Sequence, residues 1–257
     1  MPKELKETRR LLKVVHELRT QCPWDKKQTH KTLIPYLLEE ANEAADALLG
    51  GKTEEMREEL GDLLLQVALH AELASEKKRF DFEQVARGLA DKMIRRHPHI
   101  YAKEKFKSAK EQKQRWTELK ALEKPKGRSH LDGTPKGLPA LQLAQRYGEI
   151  AGSVGFDWEK ASQVLAKVRE ETAELEREMK RARRSRADLE LELGDLLFSV
   201  CQLARHLDLN AEIALKQSAA KFQRRFTKVE KIVGKKGKKL GDCSMAEMEE
   251  AWVEAKL

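Results

Sequence analysis

The chain carries the same run of segments twice, in the same order. The first run is PWDKKQT, LLEEANEAADAL and REELGDLLLQVALHAEL; the second is FDWEKAS, VREETAELEREM and ELELGDLLFSVCQLARHL. The spacings nearly agree. Trp24 precedes Glu40 by 16 residues and Trp158 precedes Glu171 by 13, while Glu40 to Glu59 spans 19 and Glu171 to Glu192 spans 21. A duplication of this length requires two modules of one design, not a single domain of mixed elements. The extra length of the second copy falls around KRARRSRAD, where a turn tolerates insertion. Between the copies, KPKGRSHLDGTPKGLP is too rich in Pro and Gly to continue a helix and reads as a boundary. The expected organisation is therefore a first domain at 1–123, a linker at 124–137 and a second domain at 138–257.

Both modules read as helical. Apolar residues recur every three or four positions, as in Leu11, Leu12, Val14, Val15 and Leu18. Helices are expected near 3–20, 30–49, 53–76, 82–96 and 109–123, then 138–153, 158–184, 186–207, 210–232 and 244–256. No strand alternation stands out, so the expected class is all-α: two tandem helical bundles. With 37% charged residues the surfaces must be densely ionic. The formal charge of +8 attracts polyanions, which leaves nucleic acid, an acidic membrane surface or phosphate-rich small molecules open. Cys22, Cys201 and Cys243 form no CxxC pair and do not suggest a disulfide framework. No apolar stretch suits a signal peptide or a membrane span, so the expected location is cytoplasmic.

Chemistry is concentrated in acidic pairs. Each copy has EExxE followed by ExxD: Glu39, Glu40, Glu43, Glu59 and Asp62 in one, Glu170, Glu171, Glu174, Glu192 and Asp195 in the other. Residues three apart share a helix face, so Glu40 with Glu43, and Glu59 with Asp62, can oppose each other across a helical hairpin. Asp62 and Asp195 open helices that continue as LLLQVALHA and LLFSVCQLA, which are apolar and expected to be largely buried. Carboxylates gathered against such helices call for a compensating cation. Oxygen-only ligands suit a hard divalent ion, Mg²⁺ being common in phosphate chemistry, and four carboxylates leave room for more than one. Gly61 and Gly194, just before each Asp, suggest close approach by a neighbour or ligand. A solvated acidic face is the bland explanation for one such motif, but two ordered copies followed by apolar helices fit it poorly.

LLEEANEAAD and EELGDLLLQVALHAE, flanked by CPWD and DKMIRRHPHIY, resemble the MazG family of nucleoside triphosphate pyrophosphohydrolases over nearly the whole chain. The resemblance implies an all-α homodimer that uses Mg²⁺, with Mn²⁺ as a substitute, to cut nucleoside triphosphates broadly. It implies metal ligation by Glu171, Glu174, Glu192 and Asp195, and by Glu40, Glu43, Glu59 and Asp62. It also implies substrate contacts from Lys221, Arg225 and Trp252, matched in the first copy by Lys92, Arg96 and Trp116. Basic residues at i and i+4 make a strip suited to phosphates, and an indole face stacks on any base. The second copy is expected to carry most of the activity. The expected reaction is attack by an activated water between the α- and β-phosphates, with Glu170 or Glu39 taking the proton.

Other features have plainer readings. His97 and His99 lack partners at zinc spacing and read as structural or substrate-side. Cys22 reads as packing. The basic runs at 180–186 and 231–241 lack interleaved aromatics, so no specific nucleic-acid binding is expected. Two alternatives remain open: a narrower pyrophosphatase for modified or deoxyuridine nucleotides, and a non-catalytic helical protein binding nucleic acid or a protein partner.

Overall fold

The computed structural model describes residues 3–102, 104, 106–108, 111, 112, 115, 116, 119, 129–181 and 185–256. Among these, all regular structure is helical. The helices are α1 (Lys3–Gln21), α2 (His30–Gly50), α3 (Thr53–Ser75), α4 (Phe82–Arg96), α5 (Pro98–Tyr101), α6 (Ala140–Ser153), α7 (Ala161–Lys180), α8 (Arg186–His206), α9 (Ala211–Lys235) and α10 (Met245–Glu254). The helix expected at 109–123 falls mostly outside the described residues. The chain divides into two compact units, Met1–Lys120 and Ala121–Leu257.

Each unit is built on a helical hairpin. In the first, α2 turns into α3, α1 lies along α3, and α4 follows it. In the second, α7 turns into α8, α6 lies along α8, α9 touches both α6 and α8, and α10 packs on α9. The α2–α3 turn depends on Gly51, whose φ of +74° suits glycine and whose N–H bonds back to the carbonyl of Ala47. At its start, α2 is capped by the Thr29 hydroxyl, which accepts from the Thr32 N–H, and the Thr32 hydroxyl accepts in return from the Thr29 N–H. Ser185 caps α8 and Ser244 caps α10 in the same manner, Ser244 with Glu247 as its reciprocal partner.

α7 is shorter at both ends than its sequence pattern suggests. Asp157 accepts from the Trp158 N–H and from side chains on α8, and Lys160 takes extended angles (φ −135°, ψ 143°), so the helix starts only at Ala161. At the other end Arg181 takes an extended ψ of 137° and stops the helix.

The core of the first unit joins Val15 of α1, Leu33 of α2 and Ala68, Leu69 and Leu73 of α3. A second cluster joins Val229 and Val233 of α9 to Ala251 and Ala255, with Trp252 packed against it. The helices after each Gly–Asp pair are less buried than their composition suggests. On α3, Leu60, Leu64 and Val67 are exposed, and on α8 so are Leu193, Leu197, Phe198 and Val200. The burial sits toward the C-terminal half of each of these helices, at Gln66, Ala68, Leu69, Ala71, Leu73 and Ala74 of α3 and at Ser199, Cys201 and Gln202 of α8, whereas the exposed apolar residues lie mostly nearer the hairpin turn.

Candidate active site

In the first unit, α2 and α3 bring carboxylate oxygens of Glu40, Glu43 and Glu59 within 4.8 Å of one another. Three like charges this close are held apart only by water or a cation. The Glu40 carboxyl is accordingly raised above the ordinary range, first by loss of solvent and then by the charges of Asp62, Glu43 and Glu59. Glu59 is raised for the same reasons, with desolvation first and Glu43 and Asp62 next. Asp62 lies outside the tight triad, although its charge is the strongest acting on Glu40. Glu39, next to Glu40, is exposed.

In the second unit the triad is Glu171, Glu192 and Asp195, again within 4.8 Å. Here the fourth acid of the motif stands aside for a visible reason: Glu174 accepts from Arg177 Nη2 at 2.9 Å. Glu171 is 5% exposed and lies on the same stripe of α7 as the buried Val164 and Glu178, seven residues away on either side. It thus occupies a position where α7 otherwise buries its side chains. Its charge is met by Lys167, one turn earlier, with Nζ 2.7 Å from Glu171 and 2.9 Å from Glu170. These two carboxylates hold the Lys167 ammonium protonated well above the usual lysine range. Glu170 is therefore ion-paired, whereas Glu39 belongs to a hairpin that has no such lysine.

The residues expected to meet substrate fall on the elements after each hairpin. Lys92 and Arg96 lie on α4, with the Arg96 guanidinium 5.7 Å from the centre of the Trp116 ring. Arg96 and Trp116, but not Lys92, border a cavity of about 270 Å³ that also takes in His97, His99 and Arg115. In the second unit Lys221 and Arg225 lie on α9. Trp252 lies 5.3 Å from Phe222, between ring centres, as well as against the α9–α10 core. Its indole is thus partly structural. His97 Nδ1 pairs with the Met93 carbonyl at 2.7 Å, and His99 Nε2 with the Gln112 amide at 3.0 Å, consistent with packing and loop-holding roles. Cys201 is buried, which pushes its thiol up and away from reactivity. Lys238, within the second basic run, pairs with Glu247.

Among the described residues, nothing in the chain lies within 4 Å of where a Cβ on Gly61 or Gly194 would project, so no neighbouring helix approaches them closely. The close approach occurs elsewhere. A Cβ on Gly148 of α6 would run into Gln202 Oε1, and Gln202 is buried with its amide bonded to the Ala144 carbonyl. Beside it, Arg205 donates to both oxygens of Asp157, at 2.8 and 2.6 Å, and His206 pairs with Asp157 at 2.8 Å. This network ties the entry of α7 to the end of α8 and so braces the carboxylate hairpin. Sequence reasoning missed it, although Gly148 inside an otherwise good helix pattern was a signal.

The MazG nucleotide pyrophosphohydrolase domain matches the chain twice, at residues 28–101 and 159–231, the two stretches that contain the carboxylate hairpins. The chain is 42% identical over 252 residues to a nucleoside triphosphate pyrophosphohydrolase of Escherichia coli strain K12, covering 96% of each. It is 42% identical over 249 residues to the nucleoside triphosphate pyrophosphohydrolase/pyrophosphatase MazG of Thermotoga maritima, covering 96% of this chain and 94% of that one. The crystal structure of a mazG-related protein from Thermotoga maritima aligns with 44% of this chain and 98% of its own, at 30% identity and a TM-score of 0.39.

Proposed function

Since the chain belongs to the MazG nucleotide pyrophosphohydrolase family, we propose that it is an Mg²⁺-dependent hydrolase that converts ribo- and deoxynucleoside triphosphates to monophosphates and pyrophosphate, with broad tolerance of the base. The observation that carries this reading is the pair of carboxylate triads, one in each hairpin. All three donors of each triad are carboxylate oxygens, a set that suits a hard divalent cation such as Mg²⁺ or Mn²⁺. The raised carboxyls of Glu40 and Glu59 support the same fit, because loss of solvent first and mutual repulsion second raise them, and an added cation would offset both.

Glu40, Glu43 and Glu59, with Asp62 beside them, would hold the cation in the first unit; Glu171, Glu192 and Asp195, with Glu174 nearby, would hold it in the second. When bound, it supplies positive charge for the phosphate oxygens and acidity for the attacking water. The chain's own residues position the rest. Lys221 and Arg225 on α9, and Lys92 and Arg96 on α4, supply cations for the phosphate chain, and Trp252 or Trp116 offers a ring face to the base. An aromatic face and point charges read no particular base edge, which favours broad specificity. Glu39 and Glu170 are the proton acceptors nearest in sequence to the ligands, and Glu170 must leave Lys167 to act.

Two modules joined by the segment at 124–137 fit the duplicated pattern, with the second the main site. The exposed apolar residues of α3 and α8 support a homodimer. Among the described residues, no helix is long and apolar enough to cross a membrane, and we place the enzyme in the cytoplasm.

The test is product analysis with Mg²⁺ and each nucleoside triphosphate in turn. Monophosphate and pyrophosphate are expected, lost on chelation and lost from the second site in Asp195→Ala, with Asp62→Ala reporting the first. Release of diphosphate and phosphate would refute the cleavage position, and binding to nucleic acid without hydrolysis would favour the non-catalytic alternative.

A further inference from the structure

The two carboxylate hairpins differ in the group one turn before the second Glu of EExxE. Both contain the second Glu of EExxE, and the residue four positions before it lies one helical turn away on the same face. In the second unit that residue is Lys167, with Nζ 2.7 Å from Glu171. In the first it is Tyr36, whose ring packs edge-on against Trp24 at 5.8 Å between centres and carries no charge. Among the described residues, Glu40 has no ion pair or hydrogen bond to a cation. Glu171 is the most buried of the six triad residues, so it is the one that gains most from a fixed partner.

We propose that Lys167 is a tethered counter-cation built into the second site: it holds Glu171 until a divalent ion displaces it, and it thereby makes the second triad the weaker binder of free metal. This rests on the cation reading of the triads given above. The lysine and a divalent ion compete for one carboxylate, since a Glu171 oxygen already taken by an ammonium is less available as a ligand. The displaced side chain has room to move, being about one-third exposed, and it keeps Glu170 as a partner. Among the described residues the first triad has no such competitor, and it keeps its mutual repulsion until a cation arrives. The two copies would then fill in order, first unit before second, as metal rises in the absence of nucleotide.

The experiment is a titration of the metal-free full-length protein with Mn²⁺, following free Mn²⁺ by electron paramagnetic resonance. Two classes of site are expected, the tighter lost in Glu40→Gln and the weaker lost in Glu171→Gln. Lys167→Met keeps most of the stem but removes the charge, and should tighten the weaker class by about three- to tenfold. Lys167→Arg should leave it weak. Tyr36→Lys, the reciprocal exchange, should weaken the tighter class by a similar factor, and it carries the test if Lys167→Met does not fold with wild-type helix content. Unchanged or weaker binding in Lys167→Met, or no effect of Tyr36→Lys, would overturn the counter-cation role while leaving the metal sites standing. Absence of Mn²⁺ binding at either triad would overturn both this inference and the cation reading beneath it.

Discussion

Replacing Asp157 with Asn tests whether the brace between α7 and α8 holds the second hairpin together. The Asp157 carboxylate accepts two bonds from Arg205 and pairs with His206, and its pKa falls from 3.8 to about 2, mainly through the Arg205 hydrogen bonds. At about 1.4 kcal/mol per pH unit this corresponds to roughly 2.5 kcal/mol. The side chain is 26% exposed, so screening brings the expected loss in Asp157→Asn to about 1–2 kcal/mol at pH 7. The sign follows from the depressed pKa. The stabilisation is complete above the ordinary value of 3.8 and disappears as pH falls through it toward about 2. Urea unfolding followed by circular dichroism at pH 7, 4 and 3 should show the variant's deficit shrinking as pH drops. The deficit should appear only in the transition of the second unit, with a fall in Tm of about 4–8 °C at neutral pH. A variant as stable as wild type at pH 7, or a deficit that does not change down to pH 3, would refute this account.

Gly148→Ala should destabilise the second unit by about 1–3 kcal/mol, because the new methyl meets Gln202, which is buried and bonded to Ala144 and Arg205; thermal unfolding reads this directly, and an unchanged Tm would show that Gln202 yields freely. The raised carboxyls of Glu40 and Glu59 take the opposite sign from Asp157. Their protonation favours the folded first unit at acidic pH, and that gain is lost as pH rises through their raised pKa values, so Glu40→Gln should stabilise the metal-free protein at pH 7 and erase much of the stabilisation by Mg²⁺. A Tm of Glu40→Gln at or below wild type without metal would contradict it. Arg19→Met should cost about 1–3 kcal/mol in the first unit, since buried Arg19 holds Glu76 through two bonds, at 2.8 and 2.9 Å, and also donates to the Asp25 carbonyl; chemical denaturation checks it, and a loss below about 0.5 kcal/mol would mean that water replaces the guanidinium.

Much of this protein is local in origin and was legible in the sequence. Helices follow from three- and four-residue periodicity and from caps such as Thr29 and Ser244, all within a few residues of one another. The facing pairs Glu40–Glu43 and Glu192–Asp195 follow from helix geometry alone. The Lys167–Glu171 pair is equally legible, as KVREE places a lysine one turn before the glutamate. What the sequence left undecided depends on contacts between distant residues. Which three of four acids meet in each triad depends on how two helices lie across a turn, and it differs between the copies: Asp62 stands aside in one and Glu174 in the other. Asp157 and Arg205 are 48 residues apart, and Gly148 is 54 from the side chain it makes room for. The Gly–Asp helices, apolar on more than one face, are buried toward their C-terminal halves, while Leu60, Leu64, Leu193 and Leu197 nearer the turn stay exposed. Periodicity records which residues are apolar, whereas burial depends on what packs against them, and that is decided only when the helices assemble.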